Sequence, residues 1–149
     1  MGLVATLFTE EALERLKHAI AQAERETSGE IRLFVENTCP EKEVLNRATQ
    51  LFAELAMHKT QFRNGVLIYV SFQDHRLAIL GDAGINQQVG PDFWTQIKDD
   101  LVASFKQDQA VEGLIKGIRT AGYSLQKHFP YEQKGAVNEL ANDVIVHDN

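Results

Sequence analysis

Carboxylates are the side chains in this sequence best placed to do chemistry. Glu30 opens an apolar segment, Asp82 follows Gly81 in a glycine-bearing stretch, and Asp99 and Asp100 sit side by side further on. Oxygen ligands converging from Glu30, Asp82, Asp100 and the carbonyls of the glycine stretch, Gly84 among them, suit a hard cation such as calcium or magnesium. Zinc, which prefers nitrogen and sulfur, fits them less well. The stretch lacks the Asp-x-Asp-x-Asp-Gly pattern of an EF-hand, so several segments would have to contribute ligands. Cys39 is the single cysteine, without a disulfide partner or a zinc ligand set around it. The sequence has no Gly-x-x-x-x-Gly-Lys-Ser/Thr loop, Gly-x-Ser-x-Gly elbow, His-Glu-x-x-His pair or Gly-x-Gly-x-x-Gly fingerprint, so the enzyme classes they mark gain no support. His75, beside Asp74 in a polar break, reads as turn chemistry before it reads as a general base.

Positioning these acids requires a particular order of elements. Leu13, Leu16, Ile20 and Ala23 recur at helical spacing after Thr9, an N-cap residue, and predict a helix over 10–26. Residues 30–37 have strand composition. Thr38 and Glu41 have capping-box spacing and Pro40 suits a first turn, which predicts a second helix from there to Met57. The run 66–72 reads as a strand covered on both faces, and the break at Gln73 and Asp74 before 76–80 predicts a hairpin. A loop over 81–91, between Gly81 and Pro91, then leads into a helix over 92–105, and a last helix runs over 109–128 with Asp108 as its N-cap. The predicted fold class is α/β: a mixed β-sheet, parallel strands plus a β-hairpin, flanked by helices on both faces.

In this order the first two strands are parallel and the hairpin reverses the third. Gly81 and Asp82 therefore fall at the same sheet edge as Glu30 and Asn64-Gly65, which makes Glu30 and Asp82 expected neighbours. At about 100° per residue, Asp99 joins Asp92 on the solvated side of the 92–105 helix. Asp100 falls about 20° from Phe93, at the margin of the buried stripe formed with Trp94, Ile97, Leu101 and Phe105, where a carboxylate needs a partner.

The 149 residues suit one domain over 1–130 with a tail over 131–149, docked or partly disordered, whose single apolar run is Val144-Ile145-Val146. A formal net charge of -6 repels phosphate backbones, so nucleic acid is excluded as an expected partner. Neither a signal-like segment nor an apolar run long enough to span a bilayer is visible, which predicts a cytoplasmic protein. Gly2 to Thr6 match a loose myristoylation pattern that unrelated chains also match by chance.

Over 9–129 the sequence resembles the TPM domain family, which has a thylakoid-lumen member and many bacterial members. The resemblance lies in Ser28-Gly29-Glu30-Ile31, in Asn64-Gly65-Val66-Leu67-Ile68, and in Asp74-His75-Arg76-Leu77-Ala78-Ile79 leading to Gly81-Asp82-Ala83-Gly84-Ile85. Phe105, Gly113-Leu114 and Gly117-Ile118 extend it. Asp99 and Asp100 match common family acids, whereas Ile85-Asn86 stands where the family more often has Leu-Glu, which removes one acid. The resemblance implies a mixed sheet flanked by helices, calcium or magnesium binding in some members, and a phosphatase activity proposed for the plant branch. Two functions follow as expectations. One is a divalent-cation-binding adaptor or interaction module meeting a protein partner through the 81–91 loop. The other is a metal-assisted acid phosphatase acting on phosphomonoesters, in which a cation polarises a phosphoryl oxygen.

Overall fold

Glu30–Glu36 (β1) and Gly65–Ser71 (β2) run parallel, in register from Glu30↔Gly65 to Glu36↔Ser71. Arg76–Gly81 (β3) returns antiparallel along β2, as the hairpin reading requires. In this computed structural model, which describes residues 2–130 and 144–149, Val144–His147 (β4) pairs parallel with the other side of β1. The strand order is β3-β2-β1-β4. Of the expected tail, residues 131–143 lie outside the described residues.

Among the described residues, six helices flank this mixed sheet. Leu3–Leu7 (α1), Glu10–Glu24 (α2), Ala83–Val89 (α4), Pro91–Lys106 (α5) and Ala110–His128 (α6) lie on one face. Leu16 and Ile20 of α2, Ile97 and Leu101 of α5, and Leu114, Ile118 and Leu125 of α6 pack there against Ile31, Leu33, Val35, Val66, Ile68 and Val70. Val44–Glu54 (α3), with Met57 of a short 3-10 turn, covers the other face through Ala48, Leu51 and Phe52 on Phe34, Leu67, Tyr69 and Ala78. β1 and β2 are buried along their whole length, the expected result for strands covered on both sides. Among the described residues no helix is long and apolar enough to cross a membrane.

The Thr9 cap forms, its side chain accepting from the Ala12 amide at 3.2 Å. Three local readings are corrected, and one helix is added that no reading covered. The sequence gives no signal for α1, which at five residues is too short for a periodicity; it is held by Val4 and Phe8, both buried. The second long helix starts at Val44 and not at Thr38, because side chains from elsewhere satisfy the backbone of 38–42. Asn149 takes the Thr38 amide and carbonyl, Asp74 takes the Cys39 amide, and Arg76 donates to the Glu41 and Lys42 carbonyls. Asp108 does not cap α6: its backbone is left-handed at φ 56, and its amide closes the preceding helix on the Phe105 carbonyl. The 81–91 loop is mostly helix, since Asp82 caps α4.

After α3 the chain turns through Ala56 at φ 56, ψ 33, a left-handed conformation that costs an L-residue about 1 kcal/mol. Ala56→Gly is expected to raise stability by roughly 0.5–1 kcal/mol, read as a higher urea midpoint at unchanged m-value.

Candidate functional site

Glu30, Gly65 and Asp82 do share one sheet edge. The Gly65 carbonyl accepts the Asp82 amide at 2.9 Å, and the Asn64 carbonyl accepts the Glu30 amide at 3.4 Å. β2 nevertheless lies between their strands, which sets the Glu30 and Asp82 backbones about two strand spacings apart, ~9–10 Å. Their side chains answer to different partners. Glu30 is buried, 3.6 Å from the Arg32 guanidinium, which also lies 3.3 Å from Glu24. The Glu24 carboxylate in turn accepts the Ile31 amide at 2.7 Å, so this ion cluster wraps the start of β1.

Asp82 belongs to a separate arrangement. Its carboxylate, 6% exposed, receives two parallel hydrogen bonds from Arg63, Nε at 2.7 Å and Nη2 at 2.8 Å. It also accepts the Ala83 amide at 2.7 Å, which makes it the N-cap of α4. The Arg63 carbonyl accepts the amides of Gly84 (2.8 Å) and Ile85 (3.3 Å). That close approach is why position 84 is glycine: a Cβ there would lie 2.1 Å from the Phe62 carbonyl oxygen and 2.7 Å from that of Arg63. Trp94 closes the corner, its indole N–H donating to Asn86, which donates to the Gly81 carbonyl. Trp94 is therefore half-buried, with its polar end engaged.

Asp99 and Asp100 of α5 stand apart from this corner. Asp99 is exposed, as the wheel predicts. Asp100 is exposed too, which corrects its expected place at the buried margin; it accepts from Gln96 one turn earlier at 3.2 Å. The structure thus places Glu30, Asp82, Gly84, Asp99 and Asp100 in three separate neighbourhoods. Among the described residues no three His, Cys, Asp or Glu side chains gather as a metal-binding group.

A second polar centre, unforeseen from the sequence, lies at the carboxyl end of β1. Glu36 is fully buried and accepts Arg47 Nε at 2.8 Å and Nη2 at 2.9 Å, the Tyr69 hydroxyl, and the side chains of His147 (2.9 Å) and Asn149 (3.4 Å). Arg47 also lies over the Phe34 ring at 5.7 Å. Burial pushes the Glu36 carboxyl up, but the hydrogen bonds from Arg47, Tyr69 and His147 outweigh it and hold the group below its ordinary range. Burial and the bond to Glu36 push the Tyr69 hydroxyl far up, so it stays a donor. The one available signal is alternation. Glu30, Arg32 and Glu36 share a face of a strand that is otherwise apolar, and charges in a covered strand need partners.

The family model described as TPM domain matches residues 4–123. The chain belongs to the TPM domain family. Among solved structures, this TPM domain is similar to the BA42 protein of the psychrophilic bacterium Bizionia argentinensis. The two share 40% identity and a TM-score of 0.85, over 94% of this chain and 95% of that one. The N-terminal domain of a P. gingivalis protein shares the fold, with a TM-score of 0.72 at 14% identity over 89% of this chain and 86% of that one. Comparison with curated proteins gives no match.

Because the folded Glu36 carboxyl is held low, its contribution is complete above the ordinary value of 4.5 and is lost as pH falls through the folded value. Urea unfolding from neutral pH downward is expected to show the wild type weakening below that range. Glu36→Gln, less stable at neutral pH by about 2 kcal/mol, should weaken less steeply; parallel pH profiles for the two proteins would remove Glu36 from the acid response.

Proposed function

We propose that this TPM domain is a cation-responsive interaction module that receives a protein partner at the Phe62–Arg63–α4 corner. The observation that carries this reading is the Arg63–Asp82 latch. An arginine side chain that is 53% exposed covers a carboxylate that is 6% exposed. Beside it Phe62 stands 41% exposed, next to the Arg63 carbonyl that two amides of α4 hold. A partner's carboxylate would compete for Arg63, and calcium or magnesium would compete for Asp82, so either ligand opens the same pair. Exposed side chains on a rigidly held loop are the usual form of a recognition surface.

The second expectation, a metal-assisted phosphatase, has less support. Such a mechanism needs a cation and a positioned nucleophile around one phosphoryl group, whereas Glu30, Asp82 and the α5 acids stand apart and Asp82 is already bidentately paired.

The test is a calcium and magnesium titration followed by amide NMR on the wild type, on Arg63→Ala, and on Asp82→Asn, which keeps the helix cap. Saturable shifts over residues 81–86 are expected at millimolar metal in the wild type. They should appear at a lower metal concentration in Arg63→Ala, where the competing guanidinium is gone, and vanish in Asp82→Asn. Flat spectra in all three proteins would sink the cation half of the reading. Partner binding unaffected by Arg63→Ala would sink the latch.

A further inference from the structure

The last strand of the sheet lies beside the first, and what holds it belongs to β1 and the residues just after it. β4 pairs with β1 from Leu33↔Val144 to Glu36↔His147. Val144 packs on the main core and Ile145 on the α3 face, so successive residues fill pockets on opposite sides of the sheet. The His147 ring meets the edge of Phe34 at 6.3 Å, and its Nδ1 lies 2.9 Å from Glu36. Asn149 accepts the amides of Asn37 (3.0 Å) and Thr38 (3.1 Å) and donates to the Thr38 carbonyl (2.8 Å), while Asp148 accepts from the Asn37 side chain. This is strand addition: backbone pairing for affinity, and alternate side-chain pockets with an amide clamp for register. The added strand stays partly open to solvent, with Val146 37% exposed.

The connection leaves open which copy supplies that strand. The Ser28 amide bonds to the Phe129 carbonyl and Thr27 bridges Pro130, which ties the end of α6 to the approach to β1. Val144 meets β1 at Leu33, only six residues beyond Thr27, about 20 Å of strand. The chain between Pro130 and Val144 can extend to roughly 45 Å, more than twice that span. We propose that the outer edge of β1 is an exchangeable strand-docking groove whose second occupant is the 144–149 segment of another copy of this chain. The incoming His147 then takes its place against Glu36. Its covalent connection holds the chain's own tail at an effective concentration in the millimolar range, so exchange between copies becomes appreciable only as the protein approaches that range.

The full chain carrying Ile145→Asp and Asn149→Ala, which lacks one apolar pocket filler and the amide clamp, is isotope-labelled. It is titrated separately with a peptide of sequence 144–149 and with unlabelled wild-type chain. Both are expected to give saturable amide shifts confined to residues 33–38, the peptide at a concentration about tenfold or more below the wild-type chain, whose tail must first leave its own groove. Shifts with the peptide and none with millimolar wild-type chain would overturn the second copy as occupant. Absence of shifts with both would overturn the groove as exchangeable. Asn149→Ala alone replaces the double variant where the latter does not give a dispersed native spectrum.

Discussion

β1 is covered on both faces, flanked by parallel neighbours on both edges, and still carries Glu30, Arg32 and Glu36. A charge in such a place is tolerable only if it is paired and hydrogen-bonded, because an unpaired buried ion costs several kcal/mol. Much of the surrounding architecture meets that demand. Glu24 at the end of α2 reaches Arg32 and the free edge amide of Ile31. Arg47 of α3 and Tyr69 of β2 converge on Glu36. The tail brings His147 and Asn149 to the same carboxylate. Helix placement, strand order and the docking of the last strand are thus linked by the polar residues of one central strand.

That link also marks where the sequence could be read and where it could not. The periodic stripes of Leu16 and Ile20, and of Leu114, Ile118 and Leu125, announce long amphipathic helices, and all five residues are buried. The two apolar runs around Gln73 and Asp74 announce the hairpin and hence the shared edge of Gly65 and Asp82. Those are local signals, and they carried the mixed sheet with helices on both faces. What failed was local chemistry overridden from a distance. Thr38 and Glu41 spell a helix start, but the Thr38 backbone is claimed by Asn149, 111 positions later. Glycine at 81 and 84 spells a loop, yet Gly81 and Gly84 are small because Trp94 and the Phe62 carbonyl press against them: Gly81 ends β3 and Gly84 lies inside α4. Asp82 was legible as a residue of interest, but Arg63 was not, since nothing in the order of residues pairs two side chains nineteen positions apart across a strand start.

The two polar centres differ in kind. The Glu36 cluster is closed around its acid: the carboxylate is fully buried, and Arg47 of α3 and Tyr69 of β2 bond to it from inside the fold. The Arg63–Asp82 pair is half-open: the acid is covered only by an arginine that water already reaches. An exposed ion pair contributes little to stability, typically under about 1 kcal/mol, so evolution is free to use it for something else. The buried Glu36 cluster braces one end of the sheet, whereas the other end carries both the buried Glu30–Arg32 cluster and the half-open Arg63–Asp82 pair.

Asn37, the residue directly after β1, has a further consequence. Its side-chain oxygen accepts the Val4 amide at 2.8 Å, its side-chain nitrogen donates to Asp148, its backbone amide donates to Asn149 and its carbonyl accepts from Gln73. The front of the chain, its far end and the hairpin all meet at one buried amide. In topological terms the described polypeptide is nearly a closed ring, pinned at Asn37. Cutting that ring at the solvent-facing His75 turn and joining residues 2 and 149 through a short bridge would keep every sheet pairing while changing the order in which the strands are synthesised to β3, β4, β1, β2.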